Sequence, residues 1–112
     1  MNRTDALKAL IEVHLPVSEA IARMSQFAWD SEEYLAVLTP ESLERALNLF
    51  TEGSLTASDI EAWANALECR DDLALSEPVV SKVLFELANP ALTYPLSAER
   101  VSHLLSILKH VA

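Results

Sequence analysis

Three histidines, one cysteine and a surplus of carboxylates are the residues of this chain that could do chemistry. Their spacing argues against most of it. His103 and His110 stand seven residues apart, about 10 Å along a helix, too far to share a metal ion by themselves. Glu99 and His103 have the i, i+4 spacing of a chelating pair, but two ligands do not make a zinc site and no others lie near them in sequence. Cys69 is flanked by Glu68, Asp71 and Asp72. Negative charge around a thiol disfavours the thiolate, the reverse of what a nucleophile needs, so Cys69 reads as a packing residue. The pairs Glu32–Glu33 and Asp71–Asp72 are the best candidates for general acid–base work, yet adjacent acids are expected to face solvent. Gly53 is the only glycine, which leaves no phosphate-cradling loop, dinucleotide fingerprint or nucleophile elbow. The expectation is a protein without catalytic residues, metal or cofactor.

The carboxylates are more informative as a field than as catalysts. The chain carries 17 acidic and 8 basic residues, for a net charge of −9. Between Asp30 and Glu77 there are 12 acids and two bases, Arg45 and Arg70, so that segment alone holds −10 and the rest of the chain +1. Such a field repels nucleic acid and anionic membrane and attracts a basic protein surface. Solubility is the plainer explanation for a charged surface. Aromatic residues among the carboxylates favour a partner: Trp29 and Tyr34 flank the acidic turn Asp30–Glu33, a fair footprint for a basic protein. The candidate partner-binding residues are therefore Trp29, Asp30, Glu32, Glu33, Tyr34, Glu61, Glu68, Asp71 and Asp72.

These residues must be positioned by helices. In GSLTASDIEAWANALECRDD, Gly53 suits a backbone with positive φ just past a preceding helix. Thr56 can cap the next helix, with Asp59 as its capping-box partner. Ile60, Trp63, Ala64 and Leu67 then share one face, and Ala62, Ala66 and Cys69 form a second stripe small enough for a neighbouring helix to come close. A helix needing cover on two sides belongs in the middle of a bundle. Trp63 reads as core, with an interface anchor as the alternative.

An apolar residue, a hydroxyl cap and an apolar residue four positions after the cap recur at Leu38-Thr39…Leu43, Leu55-Thr56…Ile60, Leu75-Ser76…Val80 and Leu96-Ser97…Val101. They predict helices near 40–52, 57–69, 77–88 and 98–110. Pro40 and Pro78 fall in first turns, where proline is tolerated. Upstream, Thr4 or Asp5 can open a first helix with Leu7, Leu10, Ile11 and His14 inward. Pro16 ends it and starts a second with Val17, Ala20, Ile21, Met24 and Phe27. Residues 27–38 fit either a small β-hairpin or a helical turn after Asp30. The fold expected is an all-α compact bundle of about six short helices in one domain spanning 1–112, with that hairpin as its one β feature.

No apolar run approaches the length of a membrane span. MNRTDALKALIEV has acids and no small-residue cleavage site, so no signal peptide is expected. A single cysteine cannot form an internal disulfide, and a cytoplasmic location is expected.

The stretch WDSEEYLAVLTPESLERAL followed by GSLTASDIEAWANALECRDDL resembles a set of small acidic bacterial proteins, over roughly residues 27–73. They share a Trp-Asp-Ser stretch, a Leu-Thr helix start and a Trp-Ala-Asn…Glu-x-Arg-Asp-Asp run, with a weaker match at LANPALTYPLSAER. In size, acidity and lack of catalytic motifs the chain is also similar in type to bacterial toxin-immunity proteins. That likeness implies a cytoplasmic inhibitor masking a basic, nuclease-like toxin domain. The alternative is a structural or oligomerisation module, in which the chain pairs with a second copy as a homodimer.

Overall fold

The hydroxyl caps do most of what their spacing promised. In the computed structural model, which describes residues 2–14, 16–28, 30–68 and 70–110, Thr39 opens α3 (Pro40–Thr51) and Thr56 opens α4 (Ala57–Leu67). Both form reciprocal capping boxes, with Ser42 and Asp59 as the respective partners. Ser97 opens α6 (Ala98–Lys109), its Oγ accepting the Arg100 amide at 3.1 Å. Gly53 sits after α3 at φ 85, as its position required.

Two caps differ from expectation. α1 (Arg3–Glu12) opens on Asn2, whose Oδ1 accepts the Asp5 amide at 2.8 Å, rather than on Thr4 or Asp5. α5 (Pro78–Ala88) is preceded by Glu77, with no side-chain cap, instead of starting at Ser76. Proline at the first helical position forces the residue before it out of the helical region, so Glu77 must be the boundary. The Ser76 amide is used elsewhere, donating to the Leu38 carbonyl at 3.1 Å.

The expected hairpin within 27–38 does not form. β1 (Ala36–Leu38) pairs instead with β2 (Leu73–Leu75) in a two-stranded parallel sheet, with Ala36 opposite Leu73 and Leu38 opposite Leu75. Parallel strands need a long crossover, and α3 and α4 supply it. The bundle is thus mostly helical, with six helices and this small sheet.

α4 lies in the middle, touching α2 (Val17–Met24), α3 and α5. α2 lies beside the small-residue stripe without closing over it: Ile21, Met24 and Phe27 face exposed Ala62 and half-buried Ala66 across a cleft; Cys69 lies outside the described residues. α3 in turn touches α1, α5 and α6. Trp63 is fully buried and belongs to the core. Its indole N–H donates to the Leu10 carbonyl at 2.7 Å, and Arg45 Nε donates to the Glu12 carbonyl at the same distance. Both acceptors lie in the last turn of α1, beyond the regular i+4 amides, and the Leu10 carbonyl also takes the Val13 amide at 3.3 Å. α1 then stops at Val13, in the left-handed region at φ 54. That turn carries His14 off the inner face. His14 is exposed, 3.1 Å from Glu12, and not at the core edge.

The linker between α5 and α6 is fastened at both ends. Thr93 Oγ1 donates to the Asn89 and Glu86 carbonyls. Arg100 forms a two-bond ion pair with Glu86 and lies 3.8 Å from the Tyr94 ring centroid. Among the described residues no helix is long and apolar enough to cross a membrane.

Trp63→Ala is expected to cost about 3–5 kcal/mol, as for other large core truncations. Trp63→Phe should cost less, about 1–3 kcal/mol, from the lost indole hydrogen bond to the Leu10 carbonyl and the smaller ring. Chemical denaturation followed by circular dichroism measures both, and a negligible loss in Trp63→Phe would show that the indole N–H contributes nothing.

Candidate partner interface

The turn from α4 into β2 carries Arg70, Asp71 and Asp72, and the three side chains take different places. Asp72 is completely buried and Arg70 nearly so, whereas Asp71 is exposed. Arg70 grips the Asp72 carboxylate with two bonds, Nε to Oδ1 at 2.9 Å and Nη2 to Oδ2 at 3.1 Å. Arg3, from the first turn of α1, adds Nε to Oδ2 at 2.9 Å. Burial by itself would raise the Asp72 carboxyl. Hydrogen bonds from Arg70 and Arg3, with their charges, outweigh that and hold it below its ordinary value. Asp72 was expected on the acidic surface. It is an internal ion-pair partner instead.

The same guanidinium groups fix the chain before β1. Arg3 Nη2 donates to the carbonyls of Ala28 at 2.7 Å and Asp30 at 2.9 Å, and Arg70 Nη2 reaches Ala28 at 3.4 Å. The Ser31 hydroxyl donates to the Glu33 carbonyl at 2.6 Å, tightening the turn locally. The Leu35 amide then donates to the Asp72 carbonyl at 2.8 Å, where the two strands come together.

This places the acidic turn beside Asp71. Ser31, Glu32, Glu33 and Asp71 line two adjoining depressions. One, of about 360 Å³, is completed by Tyr34, Arg70 and Leu73. The other, of about 750 Å³, is completed by Arg3 and Asp30. Asp30, Glu32, Glu33, Tyr34 and Asp71 are all exposed, with Tyr34 at 70%. Four exposed carboxylates and Asp72 stand against two guanidiniums, a local net charge of −3.

Five of the expected residues are therefore gathered in one place. Glu61 is exposed on α4 and lines neither depression. Glu68, at the end of α4, lines a separate groove against α5. Trp29 lies outside the described residues. Sequence reading missed Arg3 and Ser31. Arg70, the lone base beside two acids, was a signal of local pairing, whereas nothing in sequence ties Arg3 to Asp72, 69 positions away.

A scan of protein-family models finds no match to the chain, and searches of curated proteins and of solved structures find none either.

Asp72→Asn is expected to destabilise the fold by about 3–5 kcal/mol, the range for breaking a buried ion pair. A carboxyl lowered by folding stabilises above its unfolded pKa, and that contribution is lost as pH falls through the folded value. The stability difference between wild type and Asp72→Asn should therefore be full above about pH 5 and shrink on acidification below about pH 4. Urea denaturation across a pH series measures it, and a difference that stays constant with pH would refute the assignment.

Proposed function

We propose that the protein is an acidic binding module for a basic protein, acting as an immunity-type inhibitor that masks a basic, nuclease-like toxin domain. The observation that carries this reading is the grouping of Asp30, Glu32, Glu33, Tyr34 and Asp71 around two adjoining depressions on a fixed backbone. A nuclease site is positively charged because it must hold phosphates. A cluster of carboxylates competes for the same cations, and long-range attraction speeds the encounter. Tyr34 supplies the amphipathic ring that gives binding energy at such surfaces. The guanidiniums of Arg3 and Arg70 hold the backbone of the turn, so less ordering is needed on binding. The action takes place in the cytoplasm and involves neither nucleic acid nor membrane.

A structural or oligomerisation role is the second reading. It draws on the exposed Val37, Leu75 and Phe85, which are 51%, 40% and 47% accessible.

The test is affinity capture of the partner at low salt, followed by surface plasmon resonance over a salt series. Reversing Glu32, Glu33 and Asp71 to lysine is expected to lower the association rate by about tenfold or more. Reversing Glu12, Glu19 and Glu99 changes the net charge equally and should matter much less. Equal losses, or a rate indifferent to salt, would reduce the acidic cluster to a solubility feature. A mass that rises with concentration would favour the oligomerisation role.

A further inference from the structure

On the other side of Arg70 and Leu73 from the acidic depression, a groove of about 450 Å³ runs between the end of α4, β2 and α5. Leu67, Leu73 and Leu84 are its buried lining, and Leu75 and Phe85 are its half-exposed apolar walls. Glu68, Ser81 and Arg70 complete the lining, the Arg70 guanidinium being engaged by Asp72. Among the described residues, Glu68 Oε2 is a buried side-chain oxygen without a hydrogen-bond partner. A carboxylate oxygen removed from water without a donor is costly, and a cation is its best remedy. The groove thus combines two requirements, an apolar body and a positively charged donor.

We infer that this groove takes a large apolar side chain of the partner, flanked by a lysine or arginine that donates to Glu68. The inference rests on the basic partner argued above and adds the anchor that would hold it. Fully covered pockets beside a charged surface are where binding energy concentrates. A second copy of this chain is the poorer occupant. Its net charge of −9 and the acids flanking its own β2, Asp71 and Glu77, bring carboxylates towards carboxylates.

The probes are short capped peptides alternating lysine with leucine, the same peptides with glycine for leucine, and the same with glutamate for lysine. Amide chemical shifts of the full chain are followed by NMR during titration. The lysine–leucine peptide is expected to move the amides of Glu68, Leu75 and Phe85. The glycine version should move only those of Glu32, Glu33 and Asp71, and the glutamate version neither set. Glu68→Gln should weaken the groove response about tenfold, and Phe85→Ser should abolish it, with the remaining spectrum unchanged. Silence at the groove, or an equal response to the glutamate peptide, overturns the inference. So does a groove shift that depends on protein concentration without peptide, which would mean a second copy. Silence at Glu32, Glu33 and Asp71 with a response in the groove counts against the acidic depression instead, so the two readings fail separately.

Discussion

A carboxylate removed completely from water is tolerable only when its lone pairs are filled, and Asp72 is held by two guanidinium groups, one from its own turn and one from the start of the chain. Arg70 comes from the same turn and Arg3 from the first turn of α1. The guanidiniums bind the Ala28 and Asp30 carbonyls with their remaining donors. The Asp72 carbonyl receives the amide that leads into the parallel strand pair. One residue therefore ties together the N-terminal helix, the segment before β1 and the turn after α4. Desolvation offsets much of the attraction in such an arrangement. Its effect is on placement, because Arg3 and Arg70 reach the Asp72 carboxylate and the Ala28 carbonyl together in this packing.

A second set of polar contacts does the same at the other end of α1. The carbonyls of Leu10 and Glu12 lie beyond the regular i+4 amides of the helix, and within α1's own end only Leu10 gains a bond, from the Val13 amide. Trp63 and Arg45 satisfy them from α4 and α3. α1 is thereby joined at its beginning to the Asp72 network and at its end to the two central helices. The apolar core supplies most of the stability, and these bonds decide where α1 lies upon it.

The functional consequence is an acidic surface rooted in basic residues. Arg3 and Arg70 neutralise part of the local charge, yet they hold the turn that projects Glu32 and Glu33 beside Asp71. Carboxylates on a held backbone can meet a basic partner with little loss of freedom, which a mobile acidic loop cannot do. An apolar groove adjoins them, sharing Arg70 and Leu73 with the acidic depression.

Local chemistry written in consecutive residues was legible in the sequence. Thr39, Thr56 and Ser97 capped where their spacing said, because a cap needs only its own first turn. Trp63 was core because its face repeats at helical period, and Gly53 took positive φ because no other residue does so as cheaply. The acidic turn and Asp71 were candidates from composition alone. What the sequence could not decide was which partner each group would find across space. β1 and β2 are three residues long, too short to show a period, and they meet only because two helices carry the chain back. His14 left the inner face because Val13 adopted a left-handed backbone, which its β-branched side chain gave no reason to expect. Asp71 and Asp72 are chemically identical neighbours, and only the folded structure, which brings Arg3 from the start of the chain to join Arg70 on Asp72, places one at the surface and the other inside.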